Sequence, residues 1–145
     1  MLYIAVDAHG AFIETFGQQL GRTSVDLDEL NARRLAEITT SRTLHLVDLT
    51  GAGLPRIYAD ARLTSQTSGG YDLLQRWALA FYEHPDEPNG LLYRSRHDPS
   101  RLCAAIFDRA ANALTATSLG SLADPSNSSL LADLLDTYDY ALIVP

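Results

Sequence analysis

The sequence predicts an α/β (α+β) fold, a single compact domain over residues 1–145 built on a mixed sheet. Three observations lead there. Segments that alternate like strands interleave with stripes at helical spacing, but without a strict βαβ rhythm. No internal repeat and no long linker divides the chain. Its 145 residues match one domain by length and suffice for a proper core.

The elements follow in order. "LYIAV" (2–6) is a strand. "DAHGAFIETFGQQLG" (7–21) reads as a helix with Asp7 as N-cap. Phe12, Ile13, Phe16 and Leu20 form its apolar stripe, and Gly21 closes it. A second helix is expected from Asp28 to Ile38. "TLHLVDL" (43–49) alternates as a strand. Gly51 to Arg62 reads as a short helix with Pro55 near its start. "TSQTSGG" (64–70) is a polar loop, and "TSGGY" (67–71) is either a connector or a lid over a ligand. Leu74, Trp77, Ala78 and Phe81 mark an amphipathic helix that His84-Pro85 stops. "LLYRS" and "CAAIFD" are strand-like, joined by "RHDPSR". "DPSNSS" caps a last helix with Leu130, Leu131, Leu134, Leu135 and Tyr138 on its buried face.

Composition removes several function classes. With 46% apolar and 20% charged residues the chain reads as soluble and globular, and no apolar run approaches the roughly 20 residues of a membrane span. Asp7 interrupts the apolar start, which does not read as a signal peptide. The single cysteine, Cys103, excludes an internal disulfide framework and fits a cytoplasmic location. A net charge of −7 repels polyanions, so direct nucleic-acid binding is a poor fit. The histidines His9, His45, His84 and His97 show no metal-ligand spacing with Cys103, so no metal is expected. Neither a dinucleotide-binding glycine fingerprint nor a P-loop nor a nucleophile elbow is present.

Against that acidic background, "RSRHDPSR" (94–101) is a local basic cluster. It reads as a solvated turn or as the floor of a pocket for an anion. Arg94 and Arg96 lie two apart, so on a continuing strand they share one side and Ser95 takes the other. If the strand ends at Ser95, Arg96 turns to the same rim as the serine. By itself Ser95 is a turn hydroxyl, since no motif sets a base beside it. By itself Glu14, almost opposite the Phe12/Phe16 stripe, is a solvated helix glutamate. Tyr3 is equally well a core aromatic of the first strand.

"LYIAVDAHGAFIETFG", with Tyr3 on a strand and Glu14 on the following helix, combines with "YDLLQRWALAFYEHPDEPNGLLYRSRHDPSRLCAAIFDRA" and the closing leucine-rich helix. Together these resemble the RES domain family, toxins of bacterial toxin–antitoxin pairs. The run Gly90, Tyr93, Ser95 and Arg96, with "AAIFD" after it, is the most specific part. The resemblance implies a fold similar to that of ADP-ribosyltransferases and an attack on NAD as substrate, with no resident cofactor. Carried over, Glu14 and Ser95 become catalytic residues, and Tyr3 and Arg96 substrate-binding ones. The family's arginine belongs upstream of the strand tyrosine, at a position ahead of Met1, so the domain reads as N-terminally short.

The implied reaction cleaves nicotinamide from ribose, as an NAD phosphorylase or NADase. Inorganic phosphate or water is the favoured acceptor. A protein side chain, as in ADP-ribosylation, is the alternative. So is an inactive RES domain kept as an antitoxin-binding module. The implied partner is a cognate helix-turn-helix antitoxin. A homodimer stays open.

Overall fold

A computed structural model of the chain describes residues 1–60, 63 and 71–144, with the side chains of 71–74 outside that description. The connector or lid expected at 67–71 (save the backbone of Tyr71), the side chain of Leu74 and the end of the 51–62 segment therefore lie outside the described residues. The elements run β1 (Leu2–Ala5), α1 (Ala8–Phe16), β2 (Ser24–Asp26), α2 (Leu27–Asn31), β3 (Ala36–Thr40), β4 (Leu46–Asp48) and α3 (Gly53–Arg56). Then come α4 (Tyr71–Tyr82), β5 (Gly90–Arg94), β6 (Leu102–Ile106), β7 (Leu114–Ser118), α5 (Ser128–Tyr138) and β8 (Ala141–Ile143). Short 3-10 turns occupy Asp108–Ala113 and Pro125–Asn127. The fold is a mixed α/β one, as the interleaved patterns predict.

Contacts gather the chain into two units, Met1–Ala11 with Arg42–Ala113, and Phe12–Ser41 with Leu114–Pro145. The first unit holds a four-stranded mixed sheet in the order β1-β6-β5-β4. β6 is antiparallel to both neighbours, and β4 and β5 are parallel. The register aligns Tyr3, Ala105, Leu91 and Val47 across the four strands, so they share one face. Along that face Leu91 and Ala105 enter a core with Leu49, Leu54 and Phe107, and Trp77 and Phe81 of α4 pack on it. The helical stripe read from Trp77 and Phe81 is thereby the buried one. Small residues let the strands close up: a Cβ on Gly90 would lie 2.3 Å from the carbonyl oxygen of Ala105.

The second unit buries Phe12 and Phe16 of α1 with Val25, Leu30, Leu131 and Leu134. The Phe12 ring lies 4.9 Å from that of Phe16 and stacks on Tyr138 at 6.0 Å. The leucine face of α5 is the one its spacing predicts. Two short pairs complete the unit, β2 parallel to β8 and β3 antiparallel to β7.

Four expectations need correction. α1 stops at Phe16, so Leu20 is off the stripe and 96% exposed, and Gly21 takes φ +79° in the turn beyond. The helix expected over Asp28 to Ile38 is the five-residue α2 followed by a strand. Its β-branched end, Ile38-Thr39-Thr40, pairs with β7 in place of helical bonds. The strand at 43–49 shortens to Leu46–Asp48. Asn127 precedes α5 without a side-chain cap, because its Nδ2 donates instead to the carbonyls of Leu119 and Ser121.

Candidate functional site

Strand directions decide where the polar residues collect. β1, β4 and β5 run parallel and β6 runs against them. One end of the sheet therefore gathers the carboxyl ends of three strands and the amino end of the fourth. Asp7 and the first turn of α1 follow β1, Asp48 ends β4, Ser95 follows β5, and Arg101 precedes β6. In α/β proteins this end of a sheet is the usual place for a ligand crevice.

Ser95 is the pivot of the loop there. It is 1% exposed. Its Oγ accepts the N–H groups of His97 (3.1 Å) and Asp98 (3.2 Å), so the hydroxyl folds the chain into a tight turn. Its own N–H donates to the carbonyl of Arg101 at 3.0 Å, which closes the loop across the strand ends. β5 ends at Arg94, so the chain does turn at Ser95. Arg96 and Arg94 are both exposed. Arg96 donates from Nε to His97 Nε2 at 3.1 Å, and Arg94 donates from Nη1 to the Pro99 carbonyl at 3.0 Å. The two arginines thus have different duties: Arg94 braces the loop, and Arg96 rides on its rim.

Tyr3 lies on the edge strand β1 and is 68% exposed, so it is not a core aromatic. Glu14 sits on α1 within the second unit, half-buried, and its carbonyl accepts Gln18 Nε2 at 3.0 Å. Tyr3, Ser95 and Arg96 belong to the first unit.

Sequence reasoning missed the contacts that organise this loop. Asp7 acts as the predicted cap, its Oδ1 accepting the Gly10 N–H at 2.7 Å. Its Oδ2 meets Arg101 Nη1 at 3.1 Å, and Arg101 Nε reaches Asp98 Oδ2 at 3.3 Å. Partial burial alone would raise the Asp7 carboxyl. The Gly10 N–H, Arg101 and His9 outweigh it and hold the group below the usual carboxylate range. Asp48 is held low as well, by the hydroxyl and N–H of Thr50 and, at longer range, by Arg56 and Arg94. The basic run at 94–101 was the one legible signal; the ion pair between positions 94 residues apart was not.

A second feature lies at the amino end of β4. A cleft of about 390 Å³ is lined by His45, Leu46, Val47, Phe81, His84, Asp86 and Pro88. There His84 Nδ1 accepts the Asp86 N–H at 3.2 Å. It contains none of the residues that the sequence assigns to chemistry. Among the described residues no group of three His, Cys, Asp or Glu is placed to hold a metal, and no helix is long and apolar enough to cross a membrane.

The RES domain model matches residues 1–124, which include the sheet, the Ser95 loop, Tyr3 and Glu14. The chain belongs to the RES domain family. The RES match stops before α5 and β8, which lie outside the matched residues. The probable toxin y4kH of Sinorhizobium fredii (strain NBRC 101917 / NGR234) is 27% identical over 123 residues, covering 85% of this chain and 93% of that protein. No solved structure matches this RES protein significantly.

Proposed function

We propose that this RES protein is a toxin-type enzyme that cleaves NAD at the nicotinamide–ribose bond. Membership in the family over residues 1–124 carries the reading, and the relative described as a probable toxin supports it. The loop at the carboxyl end of the sheet is compatible with it, since an exposed arginine on a fixed turn suits a dinucleotide's pyrophosphate.

The chemistry divides among the residues as follows. Breaking the C–N bond releases neutral nicotinamide and leaves positive charge on the ribose, as in glycoside cleavage. The Glu14 carboxylate stabilises that charge. Tyr3, exposed on its edge strand, receives the nicotinamide end. Arg96 holds the pyrophosphate. Ser95 acts through the turn it folds: its oxygen already accepts two backbone N–H groups, and it sets the height of Arg96. An oxygen of inorganic phosphate, or of water, then bonds the ribose carbon. A cognate helix-turn-helix antitoxin would block the site in the resting cell, the cytoplasm being the place of action.

Nicotinamide release tests this directly. Purified protein is incubated with NAD, with and without phosphate, and the products are separated by chromatography. Release in either arm supports cleavage, and the phosphate dependence names the acceptor. NAD left intact by folded protein removes the proposal in favour of an inactive RES domain. ADP-ribose appearing on protein in place of free product would make it an ADP-ribosyltransferase.

A further inference from the structure

Arg101 links the Ser95 loop to the first turn of α1. Arg101 offers two separate nitrogens of its fork to two different carboxylates, Nη1 to Asp7 Oδ2 and Nε to Asp98 Oδ2. Each carboxylate spends its other oxygen on backbone. Asp7 Oδ1 accepts the Gly10 N–H, and Asp98 Oδ1 accepts the N–H and hydroxyl of Ser100 at 3.0 and 2.6 Å. The backbone of Arg101 is tied in too, its N–H donating to the Asp98 carbonyl at 2.9 Å and its carbonyl accepting the Ser95 N–H. An unbroken chain of bonds thus runs from the buried Ser95 hydroxyl through Asp98 and Arg101 to Asp7 and the opening turn of α1. Gly10 fits this close approach: a Cβ there would stand 3.0 Å from that of Ala5 and 3.5 Å from that of Arg101.

We infer that Arg101 is a positioning residue for the NAD site, fixing the turn that carries Ser95 and Arg96 against Asp7 and the opening turn of α1. The inference rests on the NAD reading for its effect on turnover, but its geometry stands apart from it. Only a forked guanidinium makes both contacts. A lysine ammonium is a single point of charge and cannot reproduce the two separated nitrogens of the fork. Charge alone is therefore insufficient, and Arg101→Lys behaves like Arg101→Met. The side chain touches no reacting atom, so its loss misplaces the site without removing a group from it.

The test combines amide exchange with kinetics on the full chain. Arg101→Met and Arg101→Lys are expected to speed exchange at the Gly10 and Asp98 amides by about tenfold, as loosened local structure does. In the same variants kcat/KM for nicotinamide release falls by up to about 10²-fold, the scale of a small misplacement, with KM for NAD raised because Arg96 moves with the turn. Adding Asp7→Asn to Arg101→Met costs little more, because one ion pair has already gone. Unchanged exchange in Arg101→Met overturns the inference whatever the turnover does. Full kcat/KM in Arg101→Lys overturns it as well, by reducing the role to charge. An inactive parent with faster exchange in Arg101→Met removes the NAD reading and leaves the positioning geometry in place.

Discussion

The N–H of Ser95 and the carbonyl of Arg101 meet at 3.0 Å, closing a loop that begins where β5 ends and finishes where β6 begins. Between them the serine hydroxyl, which is buried, accepts two further backbone donors.

Ser95→Ala is therefore expected to destabilise the fold. It leaves the His97 and Asp98 N–H groups without their acceptor in a partly buried turn, a loss of about 1–3 kcal/mol. Urea unfolding followed by circular dichroism measures it. A nucleophile with no such duty would lose turnover at unchanged stability, and that result would reverse the assignment.

Arg96→Ala should weaken NAD binding on the order of tenfold, the loss of one charge-assisted hydrogen bond. Arg94→Ala should weaken it less, because that guanidinium is engaged with Pro99. Calorimetric titration of both variants at matched ionic strength separates them, since each removes the same charge. The larger loss in Arg94→Ala would mean that bracing the loop matters more than the rim.

Asp7 sets a pH dependence of known sign. Its folded carboxyl is held below its ordinary value of 3.8, so its ionised form stabilises the fold above that pH. The contribution fades as pH falls through the lowered folded value. Asp7→Asn should be less stable than the parent at neutral pH, and the gap should narrow below pH 3.8. Unfolding midpoints at neutral and acid pH decide it; a gap that is the same at both contradicts the ion pair.

Gly90→Ala is expected to cost about 1–3 kcal/mol through overpacking, because the new methyl collides with the Ala105 carbonyl on the neighbouring strand. Thermal unfolding shows it. The glycine of the most specific family run thus has a packing reason within the sheet.

How much was legible follows from how local each signal is. β1, β5, β6, α4 and α5 announce themselves through apolar runs or helical spacing, although β1 is largely exposed and β6 is buried almost throughout. β2 and β8 are three residues long and carry no period to read. Leu30 and Ile38 sat plausibly on one helix until β7 offered Ile38 a strand partner 78 positions away, at Ala116. In the site, the turn at Ser95 and the duty of Arg96 could be framed from spacing. The burial of Ser95 and the bridge from Arg101 to Asp7 could not, since both depend on the sheet bringing β1 and β6 side by side.

If a carboxylate on α1 drives cleavage of NAD, Glu14→Gln is the decisive variant. Glutamine keeps the size and loses the charge that the developing cation needs. Nicotinamide release by parent and variant is followed at saturating NAD, with NAD affinity measured in parallel. A kcat lower by roughly 10²–10³-fold is expected, the usual loss for one preorganised electrostatic group, with affinity nearly unchanged. Equal kcat in the two proteins, or a change confined to affinity, would contradict it.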